Sequence, residues 1–536
     1  MAKGMIVAPQ PEAVEAGAEV FEQGGNAVDA AMACALVQGV VDPQMTGIAG
    51  FGSMQVYLPG RDLHTCIDFH GRAPAAVRPE MWQDLIVGEA RDGFGFILAG
   101  NVNDMGYQSI TVPGSLKAYA EAQAAWGRLP WADVVAPAID YADNGFMIRP
   151  AMTHFWTEDD GSGRVVSVER LRLTESGRRI YFHPDGALRR TGEILTNPEL
   201  ARTLRRIAEA GAEDFYGGDI AAEIAADMAA NDGLLSAQDL SDYRTSHHQP
   251  LLGDYRGNRV ATNQPPGGGV MLLEMLNILE QFDLAGIGHN SAEYVRTVAE
   301  AMKRATADKD EFVGDPNFVD VPLERLTGKA HAATYAEAIK RGEVAHVERL
   351  SGPAESANTT HLSAVDGEGN AVSMTHSLGM PSGVITPGLG FMYNGCMGVF
   401  DPRPGRAGSL APGKGRFSSM CPSIVFRDDR PILVLGAPGG TQIAMGVLQV
   451  MLNVLDFAMP VLEAVTAPRF SATSDVIDIS NRIPRFVSRR LEEQGYEICR
   501  SPYSYPLASV HAIRIDGEVW SGGADPNRDG MALLVP

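Results

Sequence analysis

The stretch Asn358-Thr359-Thr360-His361 runs into SAVDGEGNAVSM and then reaches Ser377. It reads as two adjacent strands and the turn between them, which commits this part of the chain to a sheet. A threonine hydroxyl is a poor nucleophile unless a base takes its proton, and one available base is the threonine's own α-amino group. That group exists only where the chain is cut immediately before the residue. Thr-Thr is also an ordinary β-branched strand pair. The motif alone therefore leaves Thr359 either an interior strand residue or a concealed N-terminus.

Elsewhere strands and helices come in blocks. Residues 11–24 are predicted as a short amphipathic helix and 27–41 as a buried, alanine-rich one, with a turn at Gly25-Asn26-Ala27. Glycine-rich residues 46–53 precede strands at 54–58 and 64–69. Helices are predicted at 115–127 and, as helix-turn-helix, across 197–232, where Asn197 is a candidate N-cap. Residues 254–266 read as a strand ending at prolines, 267–284 as an apolar helix, and 323–358 as helix followed by an exposed linker. Strands are expected at 360–374, 423–426 and 432–435, and a helix at 441–457. Blocks without strict βαβ alternation predict an α+β fold of stacked antiparallel sheets flanked by helices, rather than a Rossmann sheet. TGIAGFG fails as a dinucleotide fingerprint because a strand follows it instead of a helix.

Charge and cysteine usage exclude several function classes. With 66 acidic residues against 44 Lys and Arg the net charge is −22, which argues against nucleic-acid binding and against adsorption to an anionic membrane. The longest apolar runs are broken before membrane-spanning length. The N-terminus lacks the tripartite pattern of a signal peptide, so a soluble cytoplasmic protein is expected. Cys34, Cys66, Cys396, Cys421 and Cys499 are scattered, odd in number and without CxxC spacing, and form neither a disulfide framework nor a zinc site. His247, His248 and His361 also lack metal spacing and are read as structural.

Several motifs follow one another along nearly the whole chain: GGNAVDAA (24–31), VPGSLKAY (112–119), EDFYGG (213–218) and GLLSAQDLSDYR (233–244), then GDYRG (253–257), TTHLSAVDGEGNAVSMT (359–375), SSMCPSIV (418–425) and GAPGGTQI (436–443). In this order they resemble the γ-glutamyltransferase family of N-terminal-nucleophile hydrolases. The resemblance implies a four-layer αββα sandwich. It also implies a proenzyme that cleaves itself between Asn358 and Thr359 into a large subunit (1–358) and a small one (359–536), intertwined as one domain, with further dimerisation open. Thr359 would be the nucleophile, its freed α-amino group the base, and an acyl-enzyme the intermediate, with no metal or organic cofactor. Gly439 and Gly440 would form the oxyanion hole. Ser377 corresponds to a family threonine whose hydroxyl bonds the nucleophile. Taken alone, these residues are a turn and a strand serine.

Substrate recognition departs from the family pattern in one direction. Of the group that holds a γ-glutamyl α-carboxylate, the serine pair is kept as Ser418 and Ser419. The family arginine aligns with His70, and Arg72 lies two residues on, on the same face of an extended segment. Arg72 is either the substitute guanidinium or a solvated surface charge. Of the group that holds the α-ammonium, the asparagine is replaced by Gly379, the glutamine by Cys396 and the carboxylate by Val399, with Asp401 the nearest substitute. Cys396 is read as a small pocket-lining residue rather than a second nucleophile. Residues 402–416 correspond to the family's lid and are basic and rich in Gly and Pro.

These departures imply an amidohydrolase for a small anionic amide that bears a carboxylate and lacks an α-amino group. Oxamate or another dicarboxylic acid monoamide fits, an oxamate amidohydrolase-like role best of all. A glutaryl-type acylase of the same fold also fits. The rivals are a γ-glutamyl hydrolase or transpeptidase (a glutathione hydrolase) with a rebuilt ammonium site, and a catalytically dead binding protein. Retention of Thr359, Ser377, Gly439 and Gly440 speaks against the last.

Overall fold

The computed structural model describes residues 2–90, 95–159, 161, 163–347 and 359–536. The strands that build the site region from the first part of the chain are β1 (Gly4–Ala8), β2 (Phe51–Leu58), β3 (Leu63–Phe69), β4 (Ser246–His248), β5 (Leu251–Tyr255) and β6 (Asn258–Thr262). From Thr360 onward come β7 (Thr360–Asp366), β8 (Ala371–Ser377), β9 (Ser423–Arg427), β10 (Arg430–Gly436), β11 (His511–Asp516), β12 (Val519–Ala524) and β13 (Met531–Val535). They form two antiparallel sheets, ordered β13-β1-β7-β8-β2-β3-β4 and β12-β11-β10-β9-β6-β5. Each sheet combines strands from before and after Thr359.

Helices cover the outer faces. α1 (Pro11–Glu22) and α2 (Ala27–Val41) lie on the larger sheet, with α3 (Ser115–Trp126) beside them. On the smaller sheet lie α4 (Gly269–Leu279), α5 (Ala292–Phe312), α6 (Lys329–Lys340) and α7 (Ile443–Leu455). The alternation of the strands explains this layering. Leu362 and Met374 point outward to Val14 and Leu36, whereas Val365 and Ala371 point inward to Ile424 and Val434. On β10, Leu433 and Leu435 face the other helical layer, with Leu273 and Val447. Each of the buried Leu, Ile, Val and Met side chains among these contributes roughly 1.5–3 kcal/mol. Helix, sheet, sheet, helix is the αββα sandwich that the motif order implied.

Local chemistry sets the element ends. Asn26 caps α2 by accepting from the N–H groups of Val28 at 2.9 Å and Asp29 at 3.1 Å, while Asp29 accepts from the Asn26 N–H at 3.0 Å. Part of the GGNAVDAA motif is thus a capping box. Asn197 caps Pro198–Ala210 through Leu200 N–H at 3.1 Å, as its position suggested. The expected helix-turn-helix across 197–232 breaks into three pieces, Pro198–Ala210, Glu213–Gly217 and Asp219–Ala230. β2 begins at Phe51, earlier than the sequence suggests. Gly52 and Ser53 have weak strand propensity, yet pairing with β8 on one side and β3 on the other holds them extended. No helix among the described residues is long and apolar enough to cross a membrane.

Candidate active site

The β7–β8 register pairs Thr360 with His376, which sets Thr359 opposite Ser377 at the end of the hairpin. Both residues are buried. Thr359 Oγ1 donates to Ser377 Oγ at 3.0 Å, and the same oxygen accepts from the Gly379 N–H at 2.7 Å. Thr359 has φ 145°. A β-branched residue rarely adopts a positive φ, and holding one there costs about 1–3 kcal/mol. Asn358 and the preceding residues of the expected cleavage segment lie outside the described residues. The Thr359 carbonyl accepts from Arg528 Nη1 at 2.7 Å, and Arg528 is itself buried against the Phe155 ring.

A buried polar network holds the other face of this hairpin end. Gln38, on α2, donates to Gln10 Oε1 at 2.7 Å and to Thr360 Oγ1 at 3.0 Å, and its Oε1 meets His376 Nε2 at 2.8 Å. His376 Nδ1 meets Thr46 Oγ1 at 2.9 Å and the Tyr119 hydroxyl at 2.5 Å. Burial pushes His376 down to about 3, so it works as a neutral imidazole. Gln38→Leu strands partners on His376, Thr360 and Gln10 together, each unmade bond costing roughly 1–3 kcal/mol. The expected result is a clear fall in the denaturant midpoint together with slowed turnover; an unchanged midpoint would mean the network is slack.

β10 stacks on the hairpin through Ser363 Oγ to Val434 O at 3.3 Å and Ser373 Oγ to Leu435 O at 2.9 Å, with Gly436 against the His361 ring. The chain beyond Gly436 therefore continues towards Thr359. Gly439 has φ 138°, and a Cβ there would lie 2.6 Å from Ala508 Cα, so no other residue fits. Gly440 opens the 3-10 turn Gly440–Gln442 that leads into α7. Among the described residues neither N–H of this glycine pair has a hydrogen-bond partner. Two such donors at the head of a 13-residue helix suit developing negative charge.

The wall beside Ser377 is made by Phe51, Gly379, Cys396 and Arg416. Phe51 pairs with Ser377 across β2 and β8. Gly379 has φ 69°, and a Cβ on it would meet Cys396 Sγ at 2.7 Å, so the family's asparagine cannot be restored here without displacing the thiol. Burial pushes the Cys396 thiol up to about 11, against the opposing pull of Arg416. It is a protonated wall residue whose Sγ lies 3.4 Å from Leu378 O. Arg416 is 3% exposed, with its guanidinium 4.2 Å over the Phe51 ring. Burial lowers its affinity for its proton, and Arg164 adds to that effect. Asp401 is bound to Arg403 at 2.8 Å within its own loop. Of the positions weighed as ammonium acceptors, Gly379 has no side chain, Cys396 is a neutral thiol, Val399 is apolar and Asp401 is already engaged.

The remaining expected residues are placed as follows. Ser418 N–H donates to Pro266 O at 2.9 Å and Ser418 Oγ accepts from Met420 N–H at 3.1 Å, while Ser419 lies against Gly268 at the head of α4. His70 is buried against Phe51, its Nδ1 bonded to Asp68 and its Nε2 without a hydrogen-bond partner among the described residues. Arg72 directs its guanidinium to Ser246 Oγ at 3.1 Å and over the Tyr243 ring at 5.9 Å. His70 and Arg72 line a pocket of 380 Å³ with Asp68, Ser246, Gln264 and Gly415; Thr359, Ser377 and Cys396 are not in its walls. Residues 402–416 are pinned at their far end by Lys414 Nζ on Ala407 O at 2.7 Å and Ser409 O at 2.9 Å, and by Gly415 N–H on Asp315 Oδ2 at 2.7 Å. Three residues of this region escaped the sequence reading. Arg416 stands two places before the serine pair, a signal hidden by its loop composition; for Gln38 and Arg528 no sequence signal existed.

The sequence model of the family described as Gamma-glutamyltranspeptidase matches residues 13–535. The chain belongs to that family. It is therefore an amide-bond hydrolase with the N-terminal-nucleophile fold. Among family relatives, it is 36% identical over 540 residues to the Acylase ACY 1 proenzyme of Pseudomonas sp. (strain SE83), covering 99% of this chain and 94% of that one. It is 34% identical over 552 residues to a Glutathione hydrolase proenzyme of Pseudomonas aeruginosa, with the same two coverages of 99% and 94%. The solved cephalosporin acylase of Bacillus halodurans superposes with a TM-score of 0.87 at 29% identity, covering 99% of this chain and 96% of that one. Relatives in this family thus carry both acylase and glutathione hydrolase names.

Proposed function

We propose that this family member hydrolyses an amide whose acyl group carries a second carboxylate and no α-amino group, a dicarboxylic acid monoamide of the oxamate-to-glutaramate series. The observation that carries the proposal is the wall beside Ser377: a buried cation, Arg416, with Gly379, Cys396 and Val399 in place of ammonium acceptors. A planar guanidinium in that wall suits a carboxylate, which it can hold through parallel N–H donors. A buried ammonium would lose its hydrogen bonds to water and gain none from these three positions.

In this reading the chain is cut before Thr359, leaving intertwined subunits of residues 1–358 and 359–536. The Thr359 hydroxyl attacks the amide carbon while its proton passes to the freed α-amino group. Negative charge on the carbonyl oxygen is met by the N–H groups of Gly439 and Gly440. As the C–N bond breaks, the α-amino group returns the proton to the departing amine and an ester on Thr359 remains. Water, deprotonated by the same amine, cleaves the ester and regenerates the hydroxyl. Ser377 orients Thr359 Oγ1, and Arg528 holds the Thr359 carbonyl.

A substrate panel tests the acyl group. Ammonia release from oxamate, succinamate and glutaramate is measured beside p-nitroaniline release from glutaryl- and γ-glutamyl-p-nitroanilide. The glutaryl compound should exceed its γ-glutamyl twin in kcat/KM by about 10²-fold, the cost of leaving an ammonium unpaired. Equal or better use of the γ-glutamyl compound overturns the proposal. A second reading, an acylase that releases a larger amine, is favoured by the acylase names of two of the relatives. It predicts glutaryl-anilide turnover well above ammonia release from glutaramate.

A further inference from the structure

Helix α4 reads GVMLLEMLNIL and is buried along its whole length, yet it carries a carboxylate at its centre, Glu274. Burying an ionised carboxylate among apolar side chains is costly unless a positive partner faces it. What faces Glu274 is contributed by the two neighbouring helices. Asp308 comes from α5 and His331 from α6, and one donor atom from each of the three residues lies within 4.8 Å of the other two. His331 Nε2 is 2.8 Å from Asp308 Oδ2 and 3.6 Å from Glu274 Oε1. Glu274 is 1% exposed, and its Oε1, aimed at this cluster, has no hydrogen-bond partner among the described residues. Tyr335 donates to Asp308 Oδ2 at 3.0 Å from the outer side.

One imidazole cannot balance two carboxylates, and the free oxygen of Glu274 marks where a further positive charge belongs. We propose that Glu274, Asp308 and His331 form a binding site for a first-row divalent cation, zinc by preference, that ties α4, α5 and α6 together. Two carboxylate oxygens and one imidazole nitrogen are ordinary zinc donors. In a tetrahedral site with bonds of about 2.0 Å, donors stand roughly 3.3 Å apart. The Glu274–His331 spacing already suits this, and the Asp308–His331 contact needs to open by only a few tenths of an ångström. His331 keeps 17% of its side chain exposed, which offers the cation a way in and water the fourth position. Tyr335 then orients the Asp308 carboxylate from behind, the usual role of an outer partner. No residue of this cluster belongs to the Thr359 site, so the cation acts on the helical layer and not in the chemistry.

The test uses the full-length, tag-free protein, stripped with a chelator, dialysed, and titrated with Zn²⁺ against a chromophoric indicator. The expected result is one zinc per chain at micromolar affinity or tighter, a rise in Tm of several degrees on loading, and turnover changed less than about twofold. Glu274→Gln, nearly isosteric, should weaken zinc binding at least about tenfold and remove the Tm rise. His331→Gln, at a partly exposed position, should do the same and stands in if the first variant fails to fold. Zinc binding of equal stoichiometry and affinity in both variants would overturn the site. So would wild-type protein that takes up no zinc at micromolar concentration, in which case a proton occupies the gap at Glu274.

Discussion

Thr359→Ala is expected to leave a single full-length chain on a denaturing gel, where the native protein should show two fragments split before residue 359. Turnover should fall on the order of 10⁴-fold or more, since under the proposed mechanism the substitution removes the attacking oxygen and the precursor's means of exposing its base at once. The environment explains why nothing nearby substitutes. Ser377 Oγ accepts from the Gly379 N–H at 2.7 Å and lies within a strand, with no α-amino group of its own to free. The Cys396 thiol is kept protonated by burial, with its ionisation pushed up to about 11. Thr359→Ser keeps the hydroxyl and should still process and turn over. If the alanine variant is cut at the same bond, or hydrolyses substrate, the nucleophile lies elsewhere.

The second large effect is expected at Arg416. Arg416→Met keeps length and apolar contact with Phe51 but removes the buried charge. Loss of one partner of a desolvated charge pair costs about 2–5 kcal/mol. kcat/KM for glutaramate or glutaryl-anilide should therefore drop roughly 10²–10³-fold. Hydrolysis of butyryl-p-nitroanilide, which has no carboxylate to bind, should be little changed or slightly improved. Arg416→Lys restores charge without the planar fork and should recover only part of the loss. Arg72→Met, assayed alongside, separates the two candidate cations. The Arg72 guanidinium is directed to Ser246 and Tyr243, in a pocket whose walls exclude Thr359, so the smaller loss is expected there. The reverse ranking would return the carboxylate to Arg72.

Much of the architecture was legible because local pattern and tertiary role coincide. The hairpin of β7 and β8 alternates between an outward apolar set, Leu362 and Met374, and an inward small or polar set, Ser363 and Ser373, so its two faces are written in the residues. Asn26 and Asn197 announce helix starts because a short amide that accepts backbone N–H groups needs only its own neighbours. Where a residue's conformation depends on distant strands, legibility ends. Gly52 reads as loop and is strand, held by partners on both sides.

The candidate site divides along the same line. The sequence by itself placed a threonine, a serine and a glycine pair in motif order, and set Gly379, Cys396 and Val399 at the positions that the family resemblance assigns to ammonium acceptors. These are statements about which atoms exist, and they hold whatever the fold does. Only the tertiary structure decided where each candidate cation is directed. His70 and Arg72 stand out in the sequence, whereas Arg416 is hidden in a basic, Gly- and Pro-rich loop. The folding of the 402–416 loop sets Arg416 over Phe51, more than 300 residues away in the chain, while Ser246 and Tyr243 draw Arg72 elsewhere. A flexible charged side chain takes its direction from its long-range neighbours, and those contacts leave no local periodicity to read.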